Sequence, residues 1–255
     1  MSWASIRAML CRAVGYIDLH CHWVAGIDDG ARTPTESRDM LAALADVGFS
    51  RVTATPHMRA GMFPNSRADI ESAYARTVDA LGSGAEDLPV GGLASEHHLD
   101  DLALVALLGG EGLPYPPAAR AALIEFPNER FPVAYRKGIA RLKKNRIRTV
   151  LAHPERYRPV WEDITVLDSM LDGGALLLLD VAALVGKYGR AARRSAEELL
   201  GAGYYYAACS DAHRPRDAEP VAKGIAVLEK LMGTEEADFL LREGPLRILE
   251  GTVDD

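Results

Sequence analysis

The chain has 255 residues, of which 48% are hydrophobic and 25% are charged, a balance typical of a globular protein with a sizeable core. Its length predicts one large α/β domain or two small ones. The formal net charge of −7 argues against nucleic acid as the main partner.

The first fifteen residues contain Arg7 and Arg12 but no apolar core long enough for a signal peptide. We therefore predict an N-terminal extension over 1–15 and one domain over 16–255. No apolar stretch reaches the ~20 residues of a membrane span. The cysteines form no CxxC pair and no spacing of a disulfide scaffold, so we expect reduced thiols and a cytoplasmic protein.

Seven short apolar runs recur along the chain, and each is short enough to be a strand buried on both faces. They lie at 15–20, 50–57, 89–96, 122–127, 148–155, 174–181 and 204–213. Helical patterns lie between them. The pattern at 33–49 has an apolar stripe, begins at Thr33 or Thr35 as N-cap and ends at Gly48. This alternation predicts a mostly parallel sheet, closed or nearly closed into a barrel.

Five of the seven histidines fall at the end of a predicted strand or just after it. They are His20, His22, His57, His153 and His213, and Glu96, Glu125 and Asp211 have the same placement. In a (β/α) barrel the carboxyl ends of the strands meet on one face, so these side chains are expected to share one pocket.

Imidazole and carboxylate groups together suit divalent ions such as zinc, manganese and iron. His20 and His22 are two residues apart on one strand and share a face, so they can chelate one ion. Carboxylates that bridge metal ions would allow two or three ions to lie ~3.5–4 Å apart, as they do in enzymes that catalyse phosphoryl transfer.

Other polar residues have simpler interpretations. His97 and His98, beside Glu96, are either ligands or a solvated loop pair, and we favour the loop pair. Cys21 is turned away from the site by strand alternation and is expected to pack as a small apolar residue. The basic segment RKGIARLKKNRIR (136–148) lacks interleaved aromatic residues, so we interpret it as a solvated helix face rather than a nucleic-acid site.

Several motifs in a fixed order resemble a known family. HCH and GIDDGA are followed by ATPH, IEFP, LAHPERY, KYGRAARRSAEELL and CSDAH. The set resembles the CpsB/CapC type of bacterial tyrosine phosphatase, within the PHP (polymerase and histidinol phosphatase) superfamily, from about Tyr16 to the end of the chain. The resemblance implies a single-domain α/β fold, a distorted (β/α)7 TIM-like barrel. It also implies three divalent metal ions, typically Mn²⁺, with Fe, Zn or Mg as alternatives.

The resemblance also implies roles for particular residues. The implied metal ligands are His20, His22, Asp29, His57, Glu96, Glu125, His153, Asp211 and His213, and Asp28 competes with Asp29. Arg156 matches the arginine that holds the substrate phosphate, and Arg214 and Arg216 compete for a second such place. Arg156, Arg216 and His57 are the candidate catalytic residues.

The implied activity is removal of phosphate from phosphotyrosine by metal-activated hydroxide. The cysteine-dependent mechanism is unsupported, because the position six residues after each cysteine is Ile17, Ile27 or Pro215 and not arginine. The implied partner is a bacterial tyrosine kinase that regulates capsular or extracellular polysaccharide synthesis. The alternatives are another PHP phosphoesterase, such as histidinol phosphate phosphatase or a nuclease, and a catalytically silent metal-binding partner protein. Monomer and oligomer both remain open.

Overall fold

The computed structural model describes residues 15–132 and 135–254, so the predicted extension lies almost wholly outside the described residues. Nine strands are described, and every pair among them is parallel. They are β1 (Tyr16–Cys21), β2 (Phe49–Ala54), β3 (His57–Met58), β4 (Val90–Leu93), β5 (Glu96–His98), β6 (Ala121–Glu125), β7 (Arg148–Ala152), β8 (Leu176–Asp180) and β9 (Tyr205–Cys209). The prediction of a mixed α/β fold with parallel strands is confirmed.

The strands form two sheets, of order β1-β2-β4 and β3-β5-β6-β7-β8-β9, rather than one ring. Two of the seven predicted strands are interrupted, between β2 and β3 and between β4 and β5. Backbone hydrogen bonds continue across the breaks, from Ala94 N to Ala54 O at 2.9 Å and from Glu96 N to Pro56 O at 3.1 Å. At the other edge, Cys21 pairs with Ala212 beyond β9 in an isolated parallel bridge. The two sheets are therefore joined at both edges.

The described helices lie mostly between the strands. They are α1 (Pro34–Val47), α2 (Arg67–Leu81), α3 (Asp101–Gly109), α4 (Tyr135–Lys144), α5 (Arg158–Glu162), α6 (Asp168–Asp172), α7 (Gly189–Gly201), α8 (Ala218–Asp238) and α9 (Gly244–Glu250), with a π-helical turn at Phe239–Glu243 and short 3₁₀ turns between some of the others. The N-cap of α1 is Thr33, whose side chain accepts a hydrogen bond from Glu36 N, and the helix ends at Gly48 with φ 114°. No helix among residues 15–132 and 135–254 has the length and apolarity needed to span a membrane.

Two apolar cores lie on opposite faces of the strands. In β7, Val150 and Ala152 belong to an inner cluster, whereas Leu151 packs in the outer cluster beneath the helices. This alternation follows from the two-residue period of a strand. Ile248 and Leu249 of α9 join the inner cluster. The strands are thus buried on both faces, as their continuous apolar runs predict.

Candidate metal centre

The structure brings all nine predicted ligands to one end of the fold. His20, His57, Glu96 and Glu125 lie on strands β1, β3, β5 and β6, and His22, Asp29, His153, Asp211 and His213 lie in segments that follow strand ends. Parallel strands carry these residues to the same edge because their carboxyl ends face the same way. Seven of the nine are buried or nearly so, whereas the side chain of Asp29 is 54% exposed and that of His213 is 26% exposed.

Glu96 lies at the centre of this group. Its Oε2 is 3.1 Å from His57 Nδ1 and 3.3 Å from His20 Nε2, and its Oε1 is 3.0 Å from His153 Nε2. Burial opposes ionisation of Glu96, but the neighbouring histidines outweigh it and hold the pKa of the carboxyl well below its usual value. A carboxylate with several nitrogen donors around it suits a bridging ligand.

The carboxylate of Asp211 lies beside the rings of both His20 and His22. Its Oδ1 is 3.1 Å from His20 Nε2 and 3.5 Å from His22 Nε2, and these two nitrogens are 3.0 Å apart. Burial lowers the pKa of His20, but Glu96 and Asp211 outweigh that effect and raise it to about 10. The carboxylates therefore favour a positive charge between the rings.

The donor atoms converge in overlapping sets that suit cations. Four sets have all their ligand atoms within 4.8 Å of one another: His22, Asp29, His57 and His213; His20, His153 and Asp211; His20, His22 and Glu96; and His57, Glu96 and Glu125. Asp211 Oδ1 and His57 Nδ1 are buried and make no hydrogen bond to the described residues. Buried polar atoms without partners are costly, so these residues fit a metal centre well.

Asp28 and Asp29 have different surroundings. Asp28 accepts hydrogen bonds from His22 Nδ1 at 2.8 Å and from the backbone N–H of His57 at 3.1 Å, so it lies behind the ligand rings. Asp29 Oδ1 lies 3.5 Å from the Nε2 atoms of His57 and His213. The turn needs Gly30, because a Cβ there would overlap the backbone of His22. Asp29, not Asp28, thus faces the donors.

Arg156 reaches the edge of the centre from the 3₁₀ turn that follows β7. Its Nη1 lies 2.6 Å from Asp211 Oδ2, and its guanidinium lies 4.4 Å from the centroid of the Tyr188 ring. The side chain is 24% exposed, so it is held in place yet accessible.

The two arginines after SDAH have different contacts. Arg214 donates to the carbonyl oxygens of Gly30 and His213 and lies 3.6 Å from Glu36 Oε1. Arg216 is exposed and forms no ion pair with the described residues. Neither side chain lines the cavity of about 150 Å³ that lies over the donors.

Two further side chains, Arg59 and Phe63, lie at or beside this cavity and were not predicted from the sequence. Arg59 lines it, with Nη1 3.8 Å from Glu125 Oε1. Phe63 stacks on His57, with ring centroids 5.1 Å apart and planes at 5°. Arg59 lies two residues after His57, so the period of an extended strand end was a usable signal for it.

The expectation of a solvated pair at His97 and His98 is wrong. His97 is fully buried in β5, with Nδ1 3.0 Å from Leu123 O, and its Nε2 accepts from Leu113 N. Burial lowers its pKa to about 4, so the ring is neutral and structural. His98 Nδ1 lies 3.3 Å from Glu125 Oε1. Cys21 is fully buried in the outer core, as predicted.

Convergent imidazole and carboxylate groups at the carboxyl ends of parallel strands define a candidate metal-dependent hydrolase site. A family model described as "Capsular polysaccharide synthesis, CpsB/CapC" matches residues 16–250, so the chain belongs to the CpsB/CapC family.

Named relatives match over most of the chain. The tyrosine-protein phosphatase YwqE of Bacillus subtilis (strain 168) is 29% identical over 240 residues, which cover 89% of this chain and 91% of YwqE. The tyrosine-protein phosphatase CpsB of Streptococcus pneumoniae is 25% identical, over 91% of this chain and 98% of CpsB. A solved structure from work on YwqE and CpsB, described as unique metal-dependent tyrosine phosphatases, superposes with a TM-score of 0.82 at 27% identity, covering 92% of this chain and 94% of that one.

Proposed function

We propose that this chain is a metal-dependent protein-tyrosine phosphatase. The observation that carries the proposal is the accessible Arg156 guanidinium at the edge of nine convergent imidazole and carboxylate residues. A planar cation beside a metal centre suits a phosphate ester, because the guanidinium fork matches two phosphoryl oxygens. The named tyrosine phosphatases among its relatives support phosphotyrosine as the substrate.

The architecture suits a distorted seven-stranded barrel. When β2 with β3 and β4 with β5 each count as one interrupted strand, the order runs from β1 through β9 and back to β1 through the Cys21–Ala212 bridge. The enclosed inner cluster supports this description. We propose that the breaks release backbone near the ligands and allow His57 and Glu96 to turn into the centre.

We further propose three divalent ions, with Mn²⁺ as the main candidate and Fe, Zn or Mg as alternatives. His20, His22, Asp29, His57, Glu96, Glu125, His153, Asp211 and His213 would hold them. When bound, such ions lower the pKa of water towards ~7 and withdraw charge from the phosphoryl group. The four donor sets overlap, and two of them share Glu96, which supports more than one ion.

The other side chains of the site bind the phosphate and position the groups that bind it. Arg156 binds two non-bridging phosphoryl oxygens and offsets the charge that develops in the transition state. Tyr188 packs against its guanidinium and limits its motion. Arg216, which has no ion-pair partner among the described residues, is the better candidate for a second phosphate contact, because Arg214 is engaged with Gly30 and Glu36. A tyrosyl phenolate has a parent pKa near ~10 and needs little protonation, so the leaving group does not require His57, which lines the cavity and would hold metal, to act as an acid.

The physiological substrate is proposed from the family. Membership of a capsular polysaccharide synthesis family supports a phosphotyrosine protein, namely a bacterial tyrosine kinase of that pathway. The cytoplasmic location and the domain bounds of 16–255 remain predictions of the sequence.

The test is phosphate release from a phosphotyrosyl peptide, measured after chelation and after Mn²⁺ is restored. Histidinol phosphate and single-stranded DNA serve as parallel substrates. We expect metal-dependent release that strongly favours the peptide. If only another substrate were turned over, the protein would have that activity and would not be a tyrosine phosphatase. If the protein bound metal but turned over none of the substrates, the catalytically silent metal-binding protein would be favoured.

A further inference from the structure

A second cavity lies at the opposite end of the strands from the metal centre. It has a volume of about 470 Å³, and Ala121 and Arg148, the first residues of β6 and β7, line it. The donors of the metal centre lie at or beyond the other ends of these strands. The volume lies within the ~300–1,000 Å³ range of small-molecule sites.

The charged residues that line this cavity are all basic. Among the described residues they are Arg120, Lys143, Arg146 and Arg148, and no acidic side chain lines it. Arg120, Lys143 and Arg146 form no ion pair with the described residues, although the chain carries a net charge of −7. A cleft lined by one sign of charge concentrates ions of the opposite sign.

Two of these cations converge on one point beside Gly174. A Cβ added to Gly174 would lie 3.1 Å from Lys143 Nζ and 3.7 Å from Arg148 Nη1. Gly174 has φ +83°, a conformation that glycine adopts without strain. Arg148 also donates to the carbonyl oxygens of Gly174 and Val253, and an anion at this point would lie close to both positively charged side chains.

Thr149 supplies an independent observation. It lines the cavity and is 2% exposed, and its hydroxyl makes no hydrogen bond to the described residues. A buried hydroxyl without a partner is costly, which is why such groups normally bind protein, water or ligand. Ile139, Ile248 and Val253 give the same cavity an apolar wall.

We propose that this cavity is a second ligand site, which binds a small organic molecule carrying a diphosphate or an equivalent pair of anionic groups. Lys143 and Arg146, with Arg120 and Arg148, hold the anionic part, and the Thr149 hydroxyl donates to it. The apolar wall takes the organic part. The basic segment at 136–148 has the solvated helix face predicted from its sequence, with Arg141 and Lys144 exposed, and its Lys143 and Arg146 also line the proposed anion site.

The test measures binding of ADP, as the probe, to the metal-loaded protein by isothermal titration calorimetry. We expect one saturable site per chain, no comparable binding of adenosine, and at least tenfold weaker ADP binding in Lys143→Ala/Arg146→Ala. The matched control is Arg141→Ala/Lys144→Ala, which removes two exposed charges from the same helix outside the cavity. It is expected to change the dissociation constant less than twofold.

Two further variants separate this site from the metal centre and from a folding defect. Arg156→Ala is expected to leave ADP binding unchanged, because Arg156 lies at the other end of the strands. Thr149→Val, which keeps the side-chain shape, is expected to weaken ADP binding several-fold while the Tm of the free protein stays the same or rises.

Several outcomes would overturn the proposal. They are no saturable ADP binding to the unaltered protein at millimolar concentration, equal losses in the two double variants, and a loss confined to Arg156→Ala. If a short single-stranded DNA bound more tightly than ADP, the ligand of this cavity would be nucleic acid rather than a small molecule.

Discussion

Asp28 accepts a hydrogen bond from Nδ1 of His22 at 2.8 Å and thereby directs Nε2 of that ring towards Glu96 and Asp211. Outer carboxylates of this kind set the tautomer and basicity of a ligating histidine, and their loss costs ~10–100-fold in metal affinity or activity. We expect Asp28→Asn to weaken Mn²⁺ binding by about that factor, measured by titration calorimetry. Asp46→Asn, an exposed change on α1, is the control. Unaltered affinity in Asp28→Asn would contradict the orienting role.

Arg156→Ala is expected to lower kcat/KM for a phosphotyrosyl peptide by ~10²–10³-fold, because one preorganised donor to the transition state is lost. The metal content, measured by elemental analysis, should stay the same. Arg158→Ala, two residues further along and 61% exposed, is the control for general effects on this segment. If Arg156→Ala lost its metal, Arg156 would instead be a residue that positions the ligand Asp211.

The two arginines after SDAH are expected to respond differently. Arg214→Ala should lower the Tm, because the guanidinium holds the carbonyl oxygens of Gly30 and His213 and lies 3.6 Å from Glu36. Arg216→Ala should leave the Tm unchanged and raise KM for the peptide about tenfold, equivalent to one contact of ~1.4 kcal/mol. Steady-state kinetics and thermal melts of both variants decide this. The reverse pattern would assign the phosphate contact to Arg214.

Metal removal is expected to destabilise the fold, because the centre gathers buried carboxylates and imidazoles. Mn²⁺ at ~100 times its dissociation constant stabilises the protein by ~2.7 kcal/mol, which corresponds to a rise in Tm of about 5–10 °C. Calorimetric melts with chelator and with Mn²⁺ measure the rise. Asp211→Ala should abolish it. A chelated protein that melts at the same temperature as the loaded one would argue against a metal centre coupled to the fold.

The inner core should be sensitive to cavities. Leu123 of β6 is fully buried in the inner cluster, and Leu123→Ala is expected to lower the free energy of unfolding by about 2–5 kcal/mol. Leu102→Ala makes the same chemical change at a position that is 69% exposed and is expected to cost far less. Urea denaturation of both variants measures the difference, and similar costs would show that the inner cluster is not tightly packed.

Local signals in the sequence predicted much of the fold. The apolar runs located the strands because a strand buried on both faces excludes polar residues, and Thr33 and Gly48 delimited α1 because helix ends have specific capping chemistry. The interruptions of two strands were missed, because β2 to β3 and β4 to β5 each continue one apolar run. Whether a strand is interrupted depends on its hydrogen bonds to the neighbouring strand, and the apolar run carries no information about that neighbour.

The sequence by itself determined which side chains form the candidate centre, since histidines and acids at the ends of parallel strands converge in any α/β fold of this kind. The tertiary structure alone decided between neighbours: Asp29 faces the donors while Asp28 supports His22, and Arg214 is engaged while Arg216 is exposed. Adjacent residues of one type have the same chemistry and differ in orientation, which is set by contacts with distant segments. The same reason placed His97 in the core and brought Arg120 and Ile248 beside the basic segment at 136–148.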